Sequence, residues 1–222
     1  MKHTFLHNAG DGNVIFFTTA SSPINSENSE KLSPLLRDAA LRGWKIFPVL
    51  VRSRYATEST AMIGQATRDL DQLKAWAREY PGCNWAVATG KDSGVLAIEI
   101  DGYIGTSSFS WLLFENQEEE IGTPQTLISQ TENGANDTVY AYYRWPATLT
   151  MRQLRGEIAP GMRLRGEGDS VPIPPSIHSN GIRFSYPHPD AEVAAMPHWL
   201  IDLAFEVPEA EAEAAPAKFP PR

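Results

Sequence analysis

Short hydrophobic runs alternate along the chain with amphipathic stretches, and this pattern predicts a mixed α/β (α+β) fold. Apolar runs bounded by turn residues predict strands at 44–51, 84–89, 95–101, 126–131 and 138–145, with a further strand pair between 162 and 173. Helical spacing and end signals predict helices at 34–43, 69–80, 106–117 and 198–205. Pro174 and Pro175 must leave the sheet, because consecutive prolines cannot donate ladder hydrogen bonds.

The pattern divides the chain into three parts. Residues 1–32 form an N-terminal extension, in which we expect one short strand around 14–17 and a polar linker at 21–29. Residues 33–205 carry the predicted helices and strands of the folded domain. Residues 206–222 are rich in Pro, Ala and Glu, which predicts a flexible tail or linker.

Composition places the chain among soluble globular proteins. Of the 222 residues, 42% are hydrophobic and 21% are charged, and no apolar run reaches the ~20 residues of a membrane span. The single cysteine, Cys83, excludes an internal disulfide and a cysteine-based zinc site. With no signal-peptide pattern at the N-terminus, these features predict a cytoplasmic protein without a membrane partner.

The charge balance weakens a nucleic-acid interpretation without excluding it. A formal net charge of −8 is unlike the basic footprint of strong, non-specific DNA binders. Arginines at 152, 155, 163 and 165 nevertheless predict a local positive surface.

The predicted strand at 95–101 carries two acids on one face. Alternation sends Glu99 and Asp101 to the same side of the sheet, while Ile98 and Ile100 enter the core. Paired carboxylates at a strand end are either solvated acids or ligands of a divalent metal. The spacing alone does not decide between these two interpretations.

Several stretches together carry a family resemblance. They are residues 42–48, 73–76, 85–90, 95–102, 163–168, 174–178 and 197–200. On these motifs the chain resembles the bifunctional primase-polymerase (Prim-Pol) domain of the archaeo-eukaryotic primase superfamily, found in replication proteins of plasmids, phages and other mobile elements. The resemblance implies a primase-like two-module domain with an RNA-recognition-motif-like half. It also implies a DNA template, nucleotides, Mg or Mn held by acids, and a possible helicase or other replication partner.

The family's catalytic positions match only in part. Glu99 and Asp101 stand at the family's acid-x-acid motif and are the candidate catalytic and metal-binding residues. Tyr140 stands where the family has a histidine, and a tyrosine hydroxyl brings no positive charge at neutral pH. Arg163 stands where the family has a third acid, so the site is interpreted as degenerate.

Two arrangements can follow from the arginine at position 163. Its guanidinium can pair with Glu99 or Asp101 and take the place of a metal. Alternatively, Glu167 or Asp169, in the turn beyond the strand, supplies a displaced third carboxylate.

The resemblance suggests further ligand-binding residues. Ser176 and His178 stand where the family places polar groups near the nucleotide, and Arg165 is a candidate phosphate contact. For Arg165 the alternative is that it braces the turn, and for His178 that it is an exposed loop histidine. The aromatic strand with Tyr140, Tyr142, Tyr143 and Trp145 either stacks on bases or packs its faces into the core.

These observations lead to three hypotheses. The first is a Prim-Pol-like replication domain that binds nucleic acid or nucleotide and whose nucleotidyl transfer is weakened or lost. The second is an active metal-dependent DNA primase/polymerase that uses Glu99 and Asp101. The third is a non-catalytic protein-interaction module of a mobile-element replication system.

Overall fold

The structure, a computed structural model, describes residues 32–49, 62–116, 125–131, 138–146, 156–178 and 181–205. The strand and linker predicted within 1–32 and the tail predicted at 206–222 lie outside the described residues, apart from Leu32, which is buried in the core. All of the described residues belong to one compact unit, which begins at Leu32. None of the described helices is long and apolar enough to span a membrane.

The described residues form four helices and ten strands, which confirms the mixed α/β class. The helices are α1 (Pro34–Leu41), α2 (Leu70–Glu79), α3 (Gly102–Glu115) and α4 (His198–Ala204). The strands are β1 (Ile46–Val49), β2 (Asn84–Ala88), β3 (Val95–Ile100), β4 (Ile128–Thr131), β5 (Val139–Arg144), β6 (Glu157–Ala159), β7 (Met162–Arg165), β8 (Ser170–Ile173), β9 (Phe184–Ser185) and β10 (Ala194–Ala195).

Local sequence signals explain where most helices begin and end. Helix α1 begins at Pro34, whose missing N–H costs nothing in the first turn, and Gly43 follows it with a left-handed φ of 91°. The Asp69 side chain caps α2 by accepting a hydrogen bond from the backbone N–H of Asp71 at 2.9 Å. Helix α3 begins at Gly102, earlier than the predicted start at 106, so it follows β3 directly.

The strands form two sheets. A three-stranded antiparallel sheet has the order β1-β2-β8, and a larger sheet has the order β6-β7-β3-β5-β4-β9, with β10 parallel to β5. The predicted strands at 126–131 and 138–145 pair antiparallel as β4 and β5, with Ile128 opposite Ala141. Pro174 and Pro175 lie in a turn directly after β8, outside the sheet, as predicted.

Both strands predicted between 162 and 173 are present, as β7 and β8, but they do not pair with each other. Strand β7 pairs with β3 and β6, whereas β8 pairs with β2 in the smaller sheet. The segment between them is held at the end of β2: the Thr89 hydroxyl donates to the Gly166 carbonyl at 2.6 Å, and the Thr89 N–H donates to the Asp169 carbonyl at 2.9 Å. These bonds lead the chain from one sheet into the other.

Strand β3 is buried on both faces. Val95 and Ala97 belong to a core cluster shared with the smaller sheet and with α1 and α2. Leu96, Ile98 and Ile100 belong to a second cluster that includes α4. Glu99 therefore points to a face that is already apolar along the preceding residues of its strand.

Two glycines fix the position of the chain just after β3. A Cβ on Gly105 in α3 would lie 2.4 Å from the carbonyl oxygen of Gly161, and Gly161 itself has a left-handed φ of 70°. The same Gly161 carbonyl accepts a hydrogen bond from the Asp101 N–H at 2.8 Å. The first turn of α3 and the β6–β7 turn therefore meet backbone to backbone beside Asp101.

We expect Gly105→Ala to destabilise the fold by about 1–3 kcal/mol, because the new methyl group collides with backbone that cannot rotate away. The loss should appear in urea unfolding despite the higher helix propensity of alanine. Gly156→Ala is the matched control, since a Cβ there meets no atom within 4 Å, and it should stay within about 0.5 kcal/mol of the parent. Equal stability of the two variants would contradict the close approach.

Candidate functional site

Glu99 lies in β3, and Asp101 directly follows the strand with an extended backbone, so the two acids share a face, as predicted, but their environments differ. Glu99 is 8% exposed, whereas Asp101, one alternation further along, is exposed at the end of the strand. A buried carboxylate is stable only when a charged or hydrogen-bonding partner compensates it. Glu99 therefore requires such a partner and Asp101 does not.

The partner of Glu99 is Arg165 on the neighbouring strand β7. Its Nε and Nη2 atoms lie 2.6 Å and 2.5 Å from the Glu99 Oε2 atom. Burial acts to lower the pKa of Arg165, but the hydrogen bond and the charge of Glu99 outweigh it and raise this pKa above its ordinary value. The guanidinium is therefore charged throughout the working pH range. This contact joins β7 to β3, and the phosphate contact considered for Arg165 stays a prediction.

Arg163 does not form the ion pair that the sequence hypothesis gave it. In the register of β3 and β7 it lies directly opposite Glu99, yet its side chain is exposed and makes no ion pair with a described residue. Arg165 lies opposite Ala97, whose side chain ends at Cβ, so its guanidinium can cross diagonally to Glu99. The arginine that neutralises the acid is thus Arg165 rather than Arg163.

Asp101 is held from the opposite side of β3. Its Oδ1 atom accepts a hydrogen bond from the Thr138 hydroxyl at 3.1 Å. Thr138 directly precedes β5, which flanks β3 on the side away from β7. Thr138 is not among the residues that the sequence motifs identify, although the pairing of Ile100 with Val139 makes it the next residue in register with Asp101.

The acids proposed as a displaced third carboxylate bond to the backbone instead. Glu167 accepts a hydrogen bond from the Lys91 N–H at 2.8 Å, and Asp169 accepts one from the Gly166 N–H at 3.2 Å. Across the described part of the chain, no three His, Cys, Asp or Glu side chains come together as a group that could hold a metal. With Glu99 bound to a guanidinium, this donor set does not fit the divalent metal that the family resemblance implies.

Tyr140 lies opposite Glu99 on the other flanking strand, β5. Burial raises the pKa of its hydroxyl strongly, and the negative charge of Glu99 adds to this effect. The phenol is therefore neutral, and it brings no positive charge to the acids.

The other tyrosines of this strand pack in the core. Tyr142 is fully buried and its ring centroid lies 4.9 Å from that of Trp44, while Tyr143 is 2% exposed in the second cluster. Rings without solvent access cannot stack on a base. For these two residues the packing interpretation is supported.

Ser176 and His178 follow β8 and have different environments. Ser176 is 1% exposed, and its hydroxyl donates to the Trp85 carbonyl and accepts from the Trp85 N–H, both at 2.8 Å. These bonds hold Ser176 against β2, and its expected nucleotide contact stays a prediction. His178 is partly exposed, and its ring packs edge-on against Phe184 at a centroid distance of 5.9 Å.

Phe184 links His178 to the face of the acids. Its ring lies 6.0 Å from that of Tyr140, and Tyr140 lies opposite Glu99. His178 is therefore joined to the acid-bearing face through two intervening rings, whereas Arg163 lies directly opposite Glu99 on β7.

The chain matches one known protein family over most of its length. The family model described as "Bifunctional DNA primase/polymerase, N-terminal" (Prim-Pol) matches residues 36–199, more than half of the 222 residues. No curated protein sequence matches the chain closely enough to count as a relative.

Replacing Arg165 should be far more costly than replacing Arg163. We expect Arg165→Met to lower the free energy of unfolding by about 1–3 kcal/mol, because it leaves the Glu99 carboxylate buried without its partner. Arg163→Met, two residues away on the same strand, should change it by less than about 0.5 kcal/mol. Urea unfolding of both variants measures the difference.

A second substitution separates the ion pair from packing. Glu99→Gln combined with Arg165→Met removes the buried charge, so the double variant should recover part of the stability lost in Arg165→Met. A larger loss from Arg163→Met than from Arg165→Met would overturn the assignment of the pair.

Proposed function

The chain belongs to the bifunctional DNA primase/polymerase (Prim-Pol) family, and from this membership we propose that it is a replication domain that binds DNA and nucleotides while its nucleotidyl transfer is weakened or lost. The proposal that nucleotidyl transfer is weakened or lost depends on one observation. The carboxylate of Glu99, at the family's acid-x-acid motif, is bonded to the Arg165 guanidinium.

The physical reason is one of charge. Nucleotidyl transfer between phosphates needs cations that neutralise the developing negative charge and activate the attacking hydroxyl. A guanidinium can supply positive charge, but it cannot lower the pKa of a hydroxyl by coordinating its oxygen as a metal does. A site in which arginine compensates the acid therefore suits binding of phosphates better than their transfer.

The proposal includes the family's expected architecture. In it, residues 33–205 form a primase-like domain of the archaeo-eukaryotic type, with an RNA-recognition-motif-like half that contains β3. Template and nucleotide would meet at the face that carries Glu99, Asp101 and Arg163. His178 remains a proposed nucleotide contact at the edge of this face.

Overall charge sets the expected strength of DNA binding. With a net charge of −8, the affinity has to come from a local arginine surface and should fall steeply as salt is added. We therefore propose that DNA binding is measurable at low ionic strength. We also propose that the protein acts in the cytoplasm, as part of a mobile-element replication system.

A surface on the opposite side of β3 favours a second candidate, a protein-interaction module. Helix α3 exposes Tyr103, Ile104, Trp111 and Phe114 by 59–77%. Two other residues of the helix, Thr106 and Phe109, line an apolar groove of about 560 Å³. Apolar side chains grouped on one helix often mark a contact surface, and a helicase or other replication protein would be its occupant. This candidate predicts no affinity for DNA or nucleotide even at low salt.

Binding and synthesis can be measured on the same labelled primer–template DNA. We expect the DNA to bind at low salt in fluorescence anisotropy, and no primer extension with the four deoxynucleotides in Mg or Mn. Absence of both binding and extension would favour the interaction module.

Robust extension would support the alternative of an active Mg- or Mn-dependent primase/polymerase that uses Glu99 and Asp101. That outcome overturns the proposal if extension is lost in Asp101→Asn and kept in Asp202→Asn. Asp202 is a matched control because it is an exposed acid on α4, whose apolar residues pack in the cluster on the other face of β3.

A further inference from the structure

Arg163 carries a positive charge and forms no ion pair within the described part of the chain. Its side chain is exposed on β7, with Glu99 opposite it on β3 and Glu157 opposite it on β6. Neither acid forms an ion pair with it. The acids around Arg163 therefore have to be considered one by one.

The acid on β3 is committed to another arginine. Glu99 receives two hydrogen-bond donors from Arg165 on a single oxygen, at 2.5 Å and 2.6 Å. Both contacts come from one guanidinium, so Arg165 is the ion-pair partner of Glu99. The negative charge opposite Arg163 is thereby balanced before Arg163 is counted.

The remaining acids do not form an ion pair with Arg163 either. Asp101 bonds to Thr138 on the β5 side of β3, whereas Arg163 lies on the β7 side. Glu157 is exposed on β6, where a surface pair with Arg163 would contribute at most about 1 kcal/mol. On the face shared by β3 and β7, Arg163 and Arg165 balance the formal charges of Glu99 and Asp101, and Arg163 is the arginine that forms no ion pair with a described residue.

We infer that Arg163 binds a phosphate group of a nucleotide or of a DNA strand directly, without a divalent metal. A guanidinium presents a planar fork of N–H donors that matches two phosphate oxygens and remains charged at any physiological pH. This inference rests on the proposed function, since it names the group in the chain that recognises the ligand. The donor set does not fit a divalent metal. In this inference the Arg163 side chain contacts the phosphate in place of that metal.

The test compares ligand binding with and without metal. Binding of dATP and of inorganic triphosphate is measured by calorimetry, and binding of a labelled oligo(dT) by anisotropy, each in EDTA and in Mg. We expect binding to persist in EDTA. Arg163→Gln should weaken it by about tenfold or more, which is the loss expected for one charge-assisted contact to phosphate.

Two further variants separate charge from geometry and position. Arg163→Lys keeps the charge without the fork and should retain part of the affinity. Arg78→Gln removes an exposed arginine from α2, outside the larger sheet, and should leave binding unchanged. In the DNA arm, Arg163→Gln should also reduce the slope of log affinity against log salt by about 0.7.

Comparison of the three ligands identifies which molecule supplies the phosphate that Arg163 binds. A loss confined to dATP and triphosphate assigns Arg163 to the nucleotide, and a loss confined to oligo(dT) assigns it to the DNA backbone. Binding that requires Mg, or that is unaffected by Arg163→Gln, overturns the inference and leaves the proposed function in place. If neither ligand binds the parent protein in any buffer, the inference and the proposed binding function fail together.

Discussion

The ion pair between Glu99 and Arg165 is the contact on which the site depends. Strand β3 is apolar on both faces, so a carboxylate within it is tolerated only with a compensating charge close by. Arg165 supplies that charge from β7, at 2.5 Å and 2.6 Å from a single oxygen of Glu99. Glu99 is therefore part of the contact between β3 and β7 as well as of the candidate site.

This contact changes what the family's motif can do here. Of the two acids at the acid-x-acid motif, one is closed by a guanidinium and the other is exposed and bonded to Thr138. The arginine at the position of the third acid then adds positive charge to the same face. The two arginines balance the two acids, so this face lacks the net negative charge that would hold divalent cations. This balance supports the proposal that transfer is weakened while recognition of phosphate is kept.

The sequence predicts much of the fold because its signals are local. The strand with Glu99 and Asp101, the helix beginning at Pro34 and the pairing of β4 with β5 follow from alternation, capping and neighbouring position along the chain. The partner of β7 does not, since it depends on how Gly166 and the residues after it are held by Thr89, far away in sequence.

The choice between Arg163 and Arg165 lies beyond local signals for the same reason. Both point to one face of β7, and only the register with β3 and the small side chain of Ala97 decide which of them reaches Glu99. A directly opposite position favours Arg163, yet the diagonal contact is the one that forms. Register and reach are properties of the assembled sheet, so sequence alone identifies the pair of candidates and not the one that forms the contact.

Titration with Mn²⁺, followed by electron paramagnetic resonance, tests most directly whether the guanidinium of Arg165 stands in the place of a metal. We expect no stoichiometric Mn²⁺ uptake by the parent protein, and stronger uptake by Arg165→Met, in which the Glu99 carboxylate is released. One Mn²⁺ bound per parent chain, and lost in Asp101→Asn, would contradict this role of Arg165.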